Sequence, residues 1–503
     1  AVVDVGSGRT AHAISAGIAH TCAVLDNASV KCWGDGTNGR LGHGNQNSLG
    51  DGANEMGGNL AAVSLGSGRT ALALSAGDAH TCTILDNATV KCWGSGGNGR
   101  LGSGATANLG DGANEMGNSL AVIDVGSGRT AHAISTGFAH TCALLDNATV
   151  KCWGSGLYGR LGYGDSTNRG DSTGQVGDSL PAVSLGTGRT ALQITVGSQH
   201  SCTLLDNFAV KCWGRGNYGQ LGIGSTATIG DGAGEMGDSL VAVAFASGRS
   251  ARAIAAGSNH TCALLDNARV VCWGDNAYGQ LGQGSMDNIG DGVGTTVAAT
   301  PTIDLGTGRT AVAISAGDLY TCALLDNASV KCWGMSSNGR LGTGDTNDLG
   351  DDPGEMGDAL APIDLGNGLG AAAVTTGGEH TCVLLTNTNL KCFGNGMDGR
   401  LGYGNQNSIG DGPGEMGDAL ATVSLGTGRT VLAVSAGLAH TCAMLDNSTV
   451  KCWGNGGSGR RGSGNISRAG TSASQMGDNL VALSAGALIN TGTTTTTTTT
   501  TTT

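Results

Sequence analysis

Basic clusters, prolines and aromatic residues are all scarce in this sequence of 503 residues. Lys and Arg number 26 against 39 Asp and Glu, which gives a formal net charge of −13, and the basic residues form no cluster. Nucleic-acid binding and attraction to anionic membranes both need a basic surface, so we expect neither nucleic-acid nor membrane partners. The sequence also lacks an apolar run of roughly eighteen residues, so it predicts no membrane insertion.

The scarcity of proline and aromatic residues also limits how the chain can turn and pack. Proline occurs 5 times and glycine 93 times, so the turns are expected to use glycines with positive φ. Aromatic residues make up 3% of the chain, which leaves Ala, Val, Leu and Ile to form the core. A core of such small side chains predicts sheets that approach one another closely.

Cysteine, in contrast, is plentiful and regularly spaced. The 16 cysteines form pairs ten residues apart, and the pairs recur every sixty residues, eight times, without insertion or deletion. A fixed period of this length is typical of stacked or circular arrays, in which no unit buries its apolar faces alone. We therefore expect a single array of eight repeats over residues 1–490, followed by a Thr-rich tail over residues 491–503.

Each repeat contains four short apolar segments, at residues 1–5, 11–16, 20–25 and 29–33 of the first repeat. They show no helical periodicity and are separated by turn residues, so they predict a four-stranded antiparallel sheet. Sheets that are apolar on both faces, packed face to face around an axis, form a β-propeller. The predicted fold class is all-β, with eight blades most favoured and seven blades plus an extra unit as the alternative.

The cysteine pairs fit the register of such a sheet. If the first hairpin turns at Asn27, Cys22 and Cys32 lie directly opposite each other. Opposed residues in a non-hydrogen-bonded pair have Cβ atoms roughly 4.5–5.5 Å apart, close to disulfide geometry. Buried free thiols and a zinc site are the alternatives, although zinc sites use closer paired spacings. Disulfides would place the chain in an oxidising compartment, extracellular or at the cell surface. The predicted half-cystines are Cys22, Cys32, Cys82, Cys92, Cys142, Cys152, Cys202, Cys212, Cys262, Cys272, Cys322, Cys332, Cys382, Cys392, Cys442 and Cys452.

The residues around the cysteines also recur in a fixed order, with departures such as Tyr320 and Phe393. In the first repeat this order reads Gly17, His20, Thr21, Cys22, Leu25, Val30, Cys32, Trp33, Gly34, Gly39, Leu41 and Gly42. It resembles the repeats of the regulator of chromosome condensation family, and the paired cysteines look more like the extracellular relatives of that family. The resemblance implies a β-propeller. The best-known member is a nucleotide exchange factor for a small nuclear GTPase, an activity that fold analogy alone would extend to this chain.

A loop with acidic residues offers a candidate metal site. Asp51 and Glu55 recur in the second repeat as Asp111 and Glu115, and carboxylates on a glycine-rich loop could hold calcium. A solvated turn that hydrogen-bonds to itself is the alternative. No other cofactor is expected. Because every His, Asp and Glu of interest is a repeated residue, whereas a catalytic constellation is asymmetric, we expect no enzymatic activity.

Glycosylation is a further candidate modification. Acceptor triplets begin at the hairpin tips and in one later loop, and threonine-rich tracts commonly carry O-linked sugars. Ordinary turn residues are the alternative for the asparagines. The candidate residues are Asn27, Asn87, Asn147, Asn327, Asn447, Asn465, Thr493, Thr494, Thr495, Thr496 and Thr497.

The first apolar segment occurs once more than the repeats require. It opens all eight repeats and appears again at residues 481–484, whereas ring closure needs only eight copies. A spare strand can add to a neighbouring molecule. We therefore expect a structural subunit of an extracellular filament or surface assembly that associates head to tail through a terminal strand or the Thr tail. The alternative is a secreted monomeric adhesin or lectin-like propeller that binds glycans.

Overall fold

The computed structural model describes residues 11–480, except 53–54, 57–58, 247, 448, 460 and 462–467. These residues form eight antiparallel sheets of three strands, one for each repeat, which we number as blades one to eight in chain order. Each strand is five or six residues long, as the short apolar segments of the sequence predict.

Three kinds of strand recur in every blade. The inner strands are Ala11–Ala16, Ala71–Ala76, Ala131–Thr136, Ala191–Val196, Ala251–Ala256, Ala311–Ala316, Ala371–Thr376 and Val431–Ala436. The middle strands are His20–Leu25, His80–Leu85, His140–Leu145, His200–Leu205, His260–Leu265, Tyr320–Leu325, His380–Leu385 and His440–Leu445. The third strands are Val30–Gly34, Val90–Gly94, Val150–Gly154, Val210–Gly214, Val270–Gly274, Val330–Gly334, Leu390–Gly394 and Val450–Gly454.

The only helical elements in the described part of the chain are short 3₁₀ turns in the loops between strands. They lie at Thr37–Gly39, Gly97–Gly99, Leu157–Gly159, Gly177–Ser179, Val293–Thr295, Ser337–Gly339, Met397–Gly399, Gly417–Ala419, Gly457–Gly459, Ala473–Gln475 and Gly477–Asn479.

The blades close into a ring around a central axis. Inner strands of neighbouring blades pack against one another, and the ring is completed where Val431–Ala436 and His440–Leu445 contact Ala11–Ala16 of blade one. The predicted eight-bladed propeller is confirmed, and all eight repeats contribute a blade to the ring.

The predicted disulfides are confirmed in all eight blades. In blade one Cys22 pairs with Cys32 across the middle and third strands, with their Cα atoms 4.2 Å apart. The described residues contain no free cysteine. Both sulfur atoms of each bond are buried, so the disulfides belong to the cores between blades.

The fourth segment of blades one to seven differs from the sequence-based expectation. It comes from the following repeat, because the backbone N–H of Val63 donates to the carbonyl of Val30 at 2.7 Å. Six further blades repeat this bond with the same offset in sequence, ending with Val423 N–H to Leu390 O at 2.7 Å. Each of these segments therefore lies at the edge of a three-stranded sheet, joined by this one backbone hydrogen bond. Residues 1–5 and 481–485 lie outside the described residues.

Tryptophan side chains join one blade to the next. Trp33 and its equivalents are fully buried between sheets. The indole N–H of Trp93 in blade two donates to the carbonyl of Arg40 in the blade-one loop at 3.0 Å. These contacts explain why glycine follows Leu41, since a Cβ on Gly42 would lie 2.9 Å from the Trp93 indole nitrogen.

Candidate functional site

The two faces of the ring carry different loops. The first face, as we define it, bears the turn at residues 17–19 and the loop at residues 35–40 of blade one, with their equivalents. The second face bears the hairpin turn at residues 26–28 and its equivalents. The two first-face loops meet across blades, because the guanidinium of Arg160 donates to the carbonyl of Ser198 at 3.5 Å.

A channel runs along the axis at the first-face turns. It has a volume of about 320 Å³ and is lined by residues 16–18 of blade one and their seven equivalents. Its mouth is asymmetric, since Ile18 and Leu438 are exposed on one side whereas Ser258 donates to Asp318 at 3.0 Å on the other. Burial raises the pKa of Asp318.

The repeated histidines link neighbouring blades. His20 Nε2 lies 2.8 Å from the Thr81 hydroxyl of blade two, and that hydroxyl donates to the carbonyl of Arg40 at 3.2 Å. Burial, with a smaller effect from the Arg40 charge, lowers the pKa of His20 to about 3. His440 makes the same contact with Thr21 at 2.9 Å and so joins blade eight to blade one. These imidazoles are structural links between blades.

The predicted calcium residues of each repeat lie together in one loop, where backbone N–H groups already donate hydrogen bonds to the glutamate carboxylate. Glu55 Oε2 accepts from the N–H groups of Gly50, Asp51 and Gly52 at 2.8, 3.0 and 2.7 Å. Glu115 accepts equivalent bonds in the second repeat, and burial together with Glu55 raises the pKa of Asp51. Among the described residues, no group of three or more His, Cys, Asp or Glu could hold a metal ion. Calcium binding remains a prediction.

The predicted glycosylation triplets stand at the hairpin tips of the second face. The Asn27 side-chain oxygen accepts from the Ser29 hydroxyl at 2.7 Å, and Asn87 and Asn147 make the same bond to threonines. Asn327 and Asn447 complete the set. Asn465 and Thr493–Thr497 lie outside the described residues, and glycosylation of every candidate remains a prediction.

Half-buried tyrosines recur at one loop position in blades three to five. All seven tryptophans are buried, and the hydroxyls of Tyr163 and Tyr403 bond to the backbone beneath their loops. Three other half-buried tyrosines occupy the same loop position on the first face in three consecutive blades, an arrangement that we call the tyrosine arc. Phe138 at the channel mouth and Phe208 on the second face are also exposed, at 54% and 49%. The tyrosine arc comprises Tyr158, Tyr218 and Tyr278.

Arg215 lies between the first two rings of the arc. Its guanidinium carbon is 5.0 Å from the Tyr158 ring centre and 5.9 Å from that of Tyr218, within the range of cation–π contacts. The same guanidinium donates to the Gln199 side chain at 2.7 Å. Sequence analysis missed this cluster, although one signal was present: tyrosine stands where five other repeats have Asn, Asp or Ser.

The described part of the chain has no helix with the length and hydrophobicity needed to span a bilayer. Its architecture and cross-blade contacts define a closed, disulfide-linked β-propeller. The model of the RCC1-like domain matches residues 2–357, and that of the regulator of chromosome condensation (RCC1) repeat matches residues 431–460. The chain therefore belongs to the RCC1-like propeller family.

Sequence similarity to curated relatives extends over more than half of the chain. The ultraviolet-B receptor UVR8 of Arabidopsis thaliana is 28% identical over 401 residues, which cover 79% of each protein. The E3 ubiquitin-protein ligase HERC2 of Homo sapiens is 32% identical over 278 residues, which are 55% of this chain and 5% of that protein. The similarity thus concerns only a small part of the ligase.

Solved structures share the fold at low sequence identity. Human WBSCR16 superposes with a TM-score of 0.56 at 17% identity and covers 80% of this chain and 96% of its own. Prp20p from Saccharomyces cerevisiae, described with its binding to Gsp1p and histones, superposes with a TM-score of 0.54 at 19% identity. That match covers 82% of this chain and 89% of Prp20p. At these identities the likeness concerns the fold alone.

Proposed function

We propose that the chain is a non-enzymatic structural subunit of an extracellular filament or surface assembly. Eight disulfides are typical of an oxidising environment, which supports an extracellular or cell-surface location. The histidine and glutamate side chains described above serve the fold itself, which favours a role in binding and assembly over one in chemistry.

The edge of blade eight is the observation that carries this proposal. In blades one to seven, the third strand accepts one hydrogen bond from the segment 33 residues further along the chain, as Val30 does from Val63. The equivalent position on blade eight is Val450, and two segments of the sequence match it. Segment 481–485 follows Leu480, which is buried like Leu60. Segment 1–5 precedes blade one as segment 61–65 precedes blade two.

The edge of blade eight can pair with only one of the two matching segments, so the other segment is not needed to complete the ring. An unpaired strand can exchange with or add to a sheet edge of another molecule through backbone hydrogen bonds. Such a contact joins different surfaces of the two molecules, so repetition gives an open filament unless the rotation happens to close a ring. The partner in this proposal is a second copy of the chain.

Two other functions are less supported. A secreted adhesin-like propeller is favoured by one observation, the exposed Phe138 and Phe208 together with the half-buried tyrosine arc in blades three to five. Nucleotide exchange is suggested only by analogy with the best-known member of the family.

Truncation tests the assembly proposal. We expect the full chain to form polymers that grow with concentration, measured by light scattering after size-exclusion chromatography and by negative-stain electron microscopy. Deleting residues 1–5 or residues 481–503 removes one of the two matching segments and should give monomers.

The matched control deletes only residues 491–503 and leaves both matching segments in place. Polymers in this control assign assembly to the strand, and monomers assign it to the Thr tail. A full chain that remains monomeric at every concentration would refute the proposal.

A further inference from the structure

We propose that the tyrosine arc binds an extended carbohydrate chain across blades three to five. The site lies on the first face, away from the sheet edge of blade eight and from the second-face asparagines. It therefore stands whether or not the chain assembles, and it gives a ligand class to the adhesin-like candidate.

The first argument is positional. Tyrosine occupies one loop position in three consecutive repeats, whereas the other repeats carry Asn38, Asn98, Asn338, Asp398 and Ser458 there. The remaining tyrosines, Tyr163, Tyr320 and Tyr403, all place their hydroxyls against the protein backbone. Among the described residues, the tyrosines whose hydroxyls make no such bond to the backbone are therefore gathered in one sector of one face, where they are half-buried.

The second argument is backbone conformation. Tyr158 has φ +62°, in the left-handed region that Asn38, Asn98 and Asn338 also occupy at this position. Asparagine tolerates that region, whereas a bulky residue there costs on the order of 1 kcal/mol or more. Local strain kept at an accessible aromatic residue points to a role for the ring, since asparagine fits the same turn without that cost.

The third argument concerns the loops of blades four and five. There Gln220 and Gln280 replace the arginine of the other repeats, and their side-chain oxygens accept from the N–H groups of Tyr218 and Tyr278 at 2.9 Å in each case. The loop backbone is thereby fixed beneath each tyrosine. A ring held in this way loses little conformational freedom when a ligand packs on it.

The spacing and chemistry of the arc favour carbohydrate. The two distances from Arg215 place the Tyr158 and Tyr218 ring centres within about 11 Å of each other, comparable with the length of a disaccharide. Tyrosine combines a flat apolar face with a polar hydroxyl, which suits the C–H faces and hydroxyl groups of a pyranose. Arg215 and Gln199 supply hydrogen-bonding groups beside these rings.

A protein partner fits this surface less well. Leu157 adjoins Tyr158, but the polar Asn217 adjoins Tyr218 and only the small side chain of Ala277 adjoins Tyr278, so large apolar side chains do not continue along the arc. The fully buried centre of a protein interface is more apolar than the rest of the surface and is surrounded by a polar rim. One aromatic ring per blade with polar groups between is better matched to a ligand that repeats along its length.

The test uses the full chain and the 1–5 deletion on an array of defined linear hexasaccharides, including cellohexaose, chitohexaose, mannohexaose and a polygalacturonate fragment. Affinities of array hits are then measured by titration calorimetry. We expect binding to at least one member, and each of Tyr158→Asn, Tyr218→Asn and Tyr278→Asn to weaken it roughly tenfold, as the loss of one aromatic contact would. Asparagine is the residue of other repeats at this position, so all three variants should stay folded, and Tyr158→Asn should raise the melting temperature slightly because it relieves the left-handed strain.

The matched control is Phe208→Ala, which removes an exposed ring from the second face and restores the alanine of five other repeats. It should leave the affinity unchanged. The proposal would be overturned if no hexasaccharide binds, or if the tyrosine variants bind as tightly as the parent. Binding to a glycoprotein that survives enzymatic removal of its glycans and is lost in the tyrosine variants would assign the arc to a protein partner and would also overturn it.

Discussion

At the scale of single residues, the buried histidines make stability depend on pH. Burial lowers the pKa of His80 and His200 to about 3 and that of His260 to about 4. An unfolded histidine has a pKa near 6.5. Below that pH the histidines bind protons in the unfolded chain but stay neutral in the folded chain, so proton binding favours unfolding. The stabilisation is fully present above pH 6.5 and is lost as the pH falls.

We therefore expect the melting temperature to fall steeply between pH 6.5 and pH 5, before most carboxylates titrate. Each buried histidine should contribute on the order of 1 kcal/mol per pH unit over the lower part of this window. His260→Tyr copies the natural Tyr320 of blade six and should remove the contribution of one histidine. Calorimetry across this pH range measures the effect, and a flat profile would contradict it.

At the scale of the elements, the hairpin turns carry a small strain. Position 28 of the repeat has positive φ although it is alanine in five blades, with φ +58° at Ala148. A three-residue hairpin loop favours glycine at this left-handed position. The alanine is tolerated because the hairpin keeps two hydrogen bonds, from the Leu25 N–H to the carbonyl of Ser29 and from the Ala28 N–H to the carbonyl of Leu25, both at 2.8 Å.

We expect Ala148→Gly to stabilise the protein by roughly 0.5 kcal/mol, because relief of the left-handed alanine outweighs the added freedom of the unfolded chain. The measurement is the melting temperature under non-reducing conditions. Ala277→Gly is the matched control, since Ala277 is exposed and is not among the positive-φ residues. This control should lower the melting temperature slightly. If both variants shifted the melting temperature in the same direction, the explanation by backbone strain at Ala148 would be contradicted.

Sequence analysis predicted the strands and disulfides well because both depend on short-range patterns. The pairing of Cys22 with Cys32 follows from the hairpin alone. The edge segment was assigned to the wrong blade, since the bond between Val63 and Val30 joins residues far apart in the chain and leaves no local pattern. The tyrosine arc was missed for a related reason: equivalent positions meet only when repeats become neighbours in the ring.

Blade five shows what such long-range contacts look like in sequence. In blade four the Lys211 ammonium donates to the carbonyls of Leu185 and Gly237, each 26 residues away, at 2.8 and 2.7 Å. Blade five replaces these three positions together with Val271, Phe245 and Val297, which pack as one apolar cluster. In blade five the buried amine and the polar groups around it are replaced together, so no buried polar group is left without its partner. The joint change therefore costs less free energy than any one of the three substitutions alone.

At the scale of the whole molecule, closure makes the blades equivalent. Blade eight contacts blade one through the His440–Thr21 bond as every other blade contacts its successor, apart from the blade with Tyr320. An open array, in contrast, has end units with only one neighbour and correspondingly lower stability.

We expect removal of the Cys442–Cys452 disulfide by double alanine substitution to cost about 2–3 kcal/mol, as the chain-entropy model gives for a loop of this length. Removal of the Cys202–Cys212 disulfide, in the middle of the chain, should cost the same. Both are measured by denaturant unfolding without reductant. If the substitution in blade eight lowered the free energy of unfolding much less than the one in blade four, the result would indicate that the ring is open in solution.

The offset between sequence repeat and blade has a consequence for proteolysis. Because repeats two to eight each supply three strands to one blade and their opening segment to the blade before, every loop that connects these blades is backed by side-chain bonds across the same boundary. The molecule already holds one such boundary, between blades eight and one, with no peptide connection among the described residues. A protease that cuts a single surface loop should therefore leave a cleaved propeller whose fragments stay associated until a denaturant separates them.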